Sequence, residues 1–330
     1  TKKDLGLLEP EFIPVTVPLS PSQQKIYNVI AAKTLNEIND LREQGRLHKF
    51  RAAKMIRLLQ ASSNPGLLYE KSDRFEIDGT DYGFADENVT LSPLSNIDES
   101  VYEQIVNYSK LKEIPSKLIE ADKIARKILK EGRKVIIWCS FVDNMTIFEN
   151  QLMKDLNPIL IHGKISKETG DDAPEINREK LIHEFKEDPN PRVLIASTSA
   201  LSESVSLHVN TTVVDGKEVR TPVCKEAIYL DRNFNGAQFM QSMDRIHRLG
   251  MDPKTIVKYY CLMGKDTIDK NIHDRLNDKY LEMGKALDDP WIQQLDYEGT
   301  EQKINEKQLE KDFEILVRHL RGITHDNQDS

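Results

Sequence analysis

Cysteine is scarce in this chain. Its 330 residues hold three, Cys139, Cys224 and Cys261, far apart and without a C-x-x-C pair. An odd, scattered set argues against both a disulfide framework and a zinc site, and a reducing cytoplasm is the expected setting. Long apolar runs are also missing. The longest, around Val135–Cys139, is far too short to cross a bilayer. The opening TKKDLGLLEPEF has no apolar signal-peptide core, so no membrane partner is expected. A phosphate loop of the form G-x-x-x-x-G-K-[ST] is lacking as well. The glycine-lysine pairs at Gly163, Gly216, Gly264 and Gly284 are followed by Ile, Glu, Asp and Ala, and none fits the pattern. No Asp-Glu box follows an apolar strand; Asp86-Glu87 lies in a turn-rich stretch. These absences set aside a stapled secreted module, a membrane protein, and a chain that by itself cradles a nucleotide's phosphates and metal.

Excess positive charge is absent from the whole but present in part. The net charge is −8, yet residues 69–103 alone carry −8 and residues 288–330 carry −6, leaving +6 for the remainder. A mildly basic body with two acidic appendages can bind phosphate, and the acidic segments are candidates for docking a protein partner.

Periodicity then organises the body. Ser20-Pro21 is an N-cap and first-turn proline, and Ile26, Ile30, Leu35, Ile38 and Leu41 follow at helical spacing up to Gly45. Further helices are expected over 50–61, 97–108 and 116–130, the last with Ile119, Ile124, Ile128 and Leu129 as its apolar set. From residue 67 to 93 the pattern is lost, which predicts an acidic surface insertion. VIIWCS (135–140) is a β-branched apolar run of the kind buried on both faces. Strands are also expected at 158–163, 192–197, 226–231 and 255–263, separated by helices over 143–154, 175–186 and 238–250. Alternating strands and helices predict an α/β fold with a parallel sheet and helices on both faces. Ligands bind such sheets at the carboxyl ends of the strands, here Ser140, Gly163, Ser197-Thr198 and Asp231. The tail from Pro290 has a weak helical pattern in Leu309, Phe313, Leu316 and Leu320.

The stretch QFMQSMDRIHRLG (238–250) carries the most chemistry. Read as a helix, it puts Phe239, Met243 and Ile246 on one face. Gln241, Arg245 and Arg248 fall on the other, within roughly a 60° arc. Adjacent arginines repel, and a phosphate, which matches the planar donor fork of Arg, would justify them. A solvated face with Asp244 paired to Arg248 is the bland alternative.

Gln241, Arg245, His247, Arg248 and Gly250 fit Q-x-x-x-R-x-H-R-x-G, and this stretch resembles motif VI of Swi/Snf-type ATPases of helicase superfamily two. Other segments resemble that family in order: 134–152 its motif IV, 160–185 the next strand, glycine turn and helix, 192–208 its motif V, 228–241 the lead-in to motif VI, and 258–283 the closing strand and helix. The opening VPLSPSQQKIYNVI looks like the connection from the first lobe, so the resemblance covers about 14–287.

The resemblance implies a RecA-like C-terminal lobe over 113–287, after a helical lead-in (1–112, with the insertion at about 67–103) and before an acidic helical tail (288–330). It implies that Arg248 is the arginine finger, that Arg245 assists or couples the lobes, and that Gln241 joins them at ATP. Such a finger is worth roughly 10³–10⁵ in rate in related phosphoryl-transfer enzymes. It further implies nucleic-acid contacts at Ser140, His162, Gly163, Ser197 and Thr198, giving affinity more than sequence readout. His247 is read as a packing residue, and a cap is as good a reading for the strand-end hydroxyls. The implied cofactor is ATP with Mg²⁺, bound mainly by a first lobe supplied in cis or in trans, and the implied partner is DNA, with duplex favoured. The setting would be nucleoid-associated in a bacterium or nuclear in a eukaryote. The lobe alone is expected to be inactive. Motif V departs from the family: its A-G-G-x-G turn is replaced by Ala200-Leu201-Ser202-Glu203-Ser204, and Leu201 and Ser204 would strain a turn needing positive φ. Alternatives are a non-catalytic nucleic-acid- or protein-binding lobe, or the lobe of a restriction-system translocase or an RNA helicase.

Overall fold

The computed structural model describes residues 7–43, 51–68, 76–78, 88–90, 99–110, 113–166, 174, 176–201, 205–214, 217–233, 235–248, 250–286, 314 and 317–322. The chain begins with strand β1 (Glu11–Val17), helix α1 (Pro21–Glu43) and helix α2 (Arg51–Ser63). A short antiparallel pair, β2 (Glu76–Asp78) and β3 (Asn88–Thr90), is the described part of the acidic insertion. Helix α3 (Glu99–Lys110) and helix α4 (Ser116–Lys130) lead into β4 (Lys134–Trp138). There follow α5 (Val142–Ile147), β5 (Ile159–Ile161), α6 (Arg178–Glu187), β6 (Val193–Ala196), the hairpin β7 (Val209–Val214) and β8 (Lys217–Pro222), then β9 (Cys224–Tyr229). Helix α7 (Gly236–Asp244), β10 (Lys258–Gly264) and α8 (Ile268–Ala286) complete the body.

Six strands form one sheet in the order β1-β10-β9-β4-β6-β5, and every pairing in it is parallel. Parallel neighbours need crossover connections, and these place helices on both faces. The side chains of β4 show the consequence. Ile136 and Trp138 belong to one apolar cluster with Leu194, Ala227 and Tyr259, completed by residues of α1, α2, α3, α6, α7 and α8. Val135 and Ile137 point the other way, to Leu118, Ala121, Ala125, Ile128, Met145 and Phe148. Alternation at period two thus serves two cores at once.

Several expectations change in detail. A strand at Glu11–Val17 was not foreseen; it pairs with β10 from Glu11↔Lys258 to Val17↔Gly264 at the sheet edge, where Pro14 is tolerated. The hairpin β7–β8 was not foreseen either. In α4 the buried face runs Leu118, Ala121, Ala125, Ile128, and Ile119 is exposed. The alanines let the helix lie close on the sheet, and Lys117 is drawn inward by two carboxylates. The helix expected over 143–154 loosens after Ile147 into a wide π-type turn and a 3₁₀ turn. In the tail, Val317 and Leu320 are buried in the main core and the His319 Nε2 lies 3.4 Å from the Tyr27 hydroxyl; Leu309, Phe313 and Leu316 lie outside the described residues.

Helix α7 corrects the most consequential expectation. It ends at Asp244, with Arg245 as C-cap, and does not run to 250. The amides of Arg245 and Ile246 bond back to the carbonyls of Ser242 and Met243, three residues earlier, so the last turn tightens. The His247 Nε2–H then reaches the Leu8 carbonyl (2.9 Å), and Gly250 takes φ +100, a conformation that suits glycine. Arg245 and Arg248 therefore share no helical face: the first is buried and the second exposed.

Candidate functional site

Because β5, β6, β4 and β9 run parallel, their carboxyl ends gather the expected rim residues on one edge. Between the ends of β4, β6 and β9 lies a small recess lined by Ser140, Thr198, Asp231, Arg232, Asn233 and Gln238 over a floor of Trp138 and Tyr229. The Thr198 hydroxyl lies 3.4 Å from the Gln238 side-chain oxygen on α7. Ser197 behaves differently. It is buried, and its hydroxyl accepts from the Ala200 amide (3.2 Å), so it caps its own turn.

His162 and Gly163 follow β5. The His162 Nδ1 accepts from the Lys164 amide at 3.4 Å. Its pKa is lowered by burial first, then by the Lys164 and Arg178 charges, so the ring is neutral at pH 7 with Nε2–H left as a donor. Gly163 is exposed, and a Cβ there would meet nothing within 4 Å. Among the described residues no contact demands glycine at that position.

Arg178, the arginine that begins the helix after the glycine turn and to which the sequence assigned no role, organises this rim. It opens α6 behind the Asn177 N-cap, whose side chain accepts from the Lys180 amide (3.0 Å). Its guanidinium is buried and donates to three carbonyls: Ile165 (2.9 Å), Ala200 (2.8 Å) and Gly163 (3.2 Å). One side chain thus ties the turn after β5 to the turn after β6. The latter is rebuilt relative to a glycine turn. The Leu201 amide bonds to the Ser197 carbonyl, and Leu201 is 2% exposed. Leu201 is not among the positive-φ residues, so the strain anticipated there does not arise. Ser202, Glu203 and Ser204 lie outside the described residues.

The chain downstream of that turn docks on Arg245. The Leu207 amide donates to the Arg245 carbonyl (2.8 Å), and the Arg245 guanidinium reaches the Val205 carbonyl at 3.4 Å. Burial, and then the neighbouring Arg248 charge, lower the pKa of Arg245; a guanidinium stays charged at neutral pH regardless. Arg248 is exposed beyond it and Gln241 is half-buried on α7. The structure therefore brings Arg245 together with the motif V segment and leaves Arg248 facing solvent.

Two further arrangements hold the lead-in to α7. Lys117 is 1% exposed and reaches Asp269 (2.8 Å) and Asp231 (3.3 Å). Asp269 also accepts from the Ser62 hydroxyl (2.7 Å) and the Gly264 amide (2.8 Å). This fixes Asp231 at the end of β9 and joins α2, α4 and α8 to it. Next along the chain, Arg232 donates to the His273 Nδ1 (2.6 Å) and lies over the Phe239 ring. Burial first, then the Arg232 charge, push the His273 pKa down to about 4. Among the described residues no group of three or more His, Cys, Asp or Glu is arranged to hold a metal, and no helix is long and apolar enough to cross a membrane.

The chain is similar in sequence and fold to known proteins. Residues 120–250 match the helicase conserved C-terminal domain. The chain is 27% identical over 215 residues to the chromatin-remodeling ATPase INO80 of Saccharomyces cerevisiae, covering 64% of this chain and 12% of that protein. It is 26% identical over 160 residues to the lymphoid-specific helicase of Homo sapiens, covering 48% of this chain and 16% of that one. It thus spans a small part of the relatives it matches. In fold it is similar to the crystal structure of the C-terminal part of the Fun30 ATPase domain, with a TM-score of 0.53 and 18% identity over 95% of this chain and 99% of that one.

Proposed function

We propose that this chain, which carries the helicase C-terminal domain of the Swi/Snf-type ATPases, acts as the second lobe of a DNA-dependent ATPase. In this reading it presents Arg248 to a nucleotide held by a first lobe. That lobe, in cis or in trans, supplies the phosphate loop and the acids for Mg²⁺. Arg248 stabilises charge on the γ-phosphoryl oxygens during transfer. Arg245 positions the loop, and Gln241 joins it at the nucleotide. Ser140, Thr198, the neutral His162 and the open surface at Gly163 form the track for the nucleic-acid backbone, with Ser197 shaping its turn. Duplex DNA is the proposed partner and the nucleus the proposed setting, in keeping with relatives named for chromatin remodelling.

One observation carries the reading. Arg245 is bonded through its backbone to Leu207 and through its side chain to Val205, so the chain that follows the rim turn is bonded directly to the arginine loop. A shift of either turn reaches the other through packed, bonded groups, as coupling between a nucleotide and a track requires. Because turnover needs both lobes, the purified 330-residue chain should hydrolyse no ATP, with or without DNA. Turnover by the chain alone that is lost on Arg248→Ala would refute this.

A non-catalytic binding lobe is the second reading, and the rebuilt turn with Leu201 in the core favours it. Its mark would be DNA-stimulated hydrolysis by the complete enzyme that survives substitution of both Arg245 and Arg248.

A further inference from the structure

Between the turn after β6 and strand β9 the chain makes a detour that the core does not need. Strands β7 and β8 pair antiparallel from Val209↔Pro222 to Val214↔Lys217, forming a two-stranded sheet of their own. Every residue of β8 is exposed. A lone hairpin with an exposed strand gains little from burial, so its presence calls for another reason.

Its position supplies one. The Arg220 Nη1 lies 3.1 Å from where a Cβ on Gly250 would stand, and the His208 Nε2 lies 3.5 Å from the same point. Gly250, at φ +100, is two residues beyond Arg248. Chain geometry therefore holds the Arg220 guanidinium within about 12 Å of the Arg248 Cα, a span that two arginine side chains can close on one anion. Arg220 thus lies beside the loop that carries Arg245 and Arg248. Among the described residues the countercharge beside Arg220 is weak. Arg220 is paired with Glu218 at 3.7 Å, both more than half exposed, and such surface pairs contribute little. An exposed, weakly paired Arg220 guanidinium beside the loop that carries the exposed Arg248 suits an anion of several phosphate groups.

We propose that Arg220 is a third phosphate-binding arginine, delivered by the β7–β8 hairpin to contact the nucleotide's polyphosphate alongside Arg248. This rests on the reading of the arginine loop as the nucleotide face, and it makes the hairpin a functional arm of that face.

The test uses the complete ATPase with both lobes, titrated with ATP and, separately, with duplex DNA. Arg220→Ala should lower kcat/KM for ATP by about tenfold or more, the loss expected for one charge-assisted hydrogen bond. Arg220→Lys should recover part of that loss. The DNA concentration giving half-maximal stimulation should stay unchanged, as should the melting temperature, because the side chain is exposed. A kcat/KM within twofold of the parent, or a defect confined to the DNA titration, overturns the proposal. Arg248→Ala run in parallel separates the two levels. If turnover survives it, the nucleotide-face reading fails and the proposal with it. If Arg248→Ala abolishes turnover while Arg220→Ala is silent, only the hairpin's role is refuted.

Discussion

Replacing Lys117 by methionine should destabilise the fold severely, for a reason visible in its surroundings. The Lys117 ammonium lies 2.8 Å from Asp269 and 3.3 Å from Asp231, with side-chain exposures of 1%, 5% and 2%. Methionine fills much of the same volume, so packing is largely kept, but two buried carboxylates lose their shared cation. Breaking a buried ion pair from one side costs about 3–5 kcal/mol. For a chain of this size that corresponds to a fall in Tm of about 6–10 °C. The pH dependence gives an independent check. Burial raises the pKa of Asp269, but Lys117, the Gly264 amide and Ser62 outweigh it and leave it lowered. Its stabilising contribution is therefore present above the ordinary carboxylate range and is lost only as pH falls through the depressed value. Burial raises the pKa of Asp231, and Lys117 offsets only part of this, so its contribution grows as pH falls. Without Lys117 both carboxyl groups shift upward, and protonation relieves the uncompensated charge. The stability gap between parent and Lys117→Met should accordingly be widest near pH 7.5 and should narrow toward pH 5. Thermal melts at both pH values measure it. A Tm change under about 2 °C at pH 7.5, or a gap that widens with acid, would refute the role given to this cluster.

Three further outcomes are expected. Arg178→Ala removes the donor to the Gly163, Ile165 and Ala200 carbonyls and should weaken DNA stimulation of the complete enzyme at least tenfold while leaving KM for ATP within twofold, as read from DNA and ATP titrations. His273, with its pKa pushed down from 6.5 to about 4, should titrate near that value by NMR. Because the fold holds it neutral, its contribution is full above 6.5 and is lost as pH falls toward 4, so His273→Gln should flatten the pH dependence of stability in that window. Arg245→Ala should lower Tm measurably because its guanidinium is buried on the Val205 carbonyl, whereas Arg248→Ala, at an exposed position, should leave Tm within about 1 °C.

Most of the sheet was legible because its central strands are short β-branched runs between helices, a pattern that only a doubly covered parallel sheet explains. The edges were harder. In β1, Pro14 and partial exposure blur the alternation that marks a strand. The hairpin β7–β8 did carry a signal, Asp215-Gly216 between two Val- and Thr-containing runs, the usual sequence of a tight hairpin. At the site, motif order located the arginines, but periodicity carried α7 too far: nothing in the spacing says that His247 turns aside to the Leu8 carbonyl. The roles of Lys117 and Arg178 were hidden for a different reason. A basic residue in a helix's first turn reads as solvent-exposed, and only the fold brings Lys117 to acids 114 and 152 residues later.

The account depends most directly on Arg248, and DNA-stimulated ATP turnover by the complete two-lobed enzyme tests it. Arg248→Ala should reduce kcat by roughly 10³–10⁵ while ATP still binds and the fold still melts at the parent temperature. Turnover within tenfold of the parent at saturating ATP and DNA would contradict the assignment of this lobe as the supplier of the arginine finger.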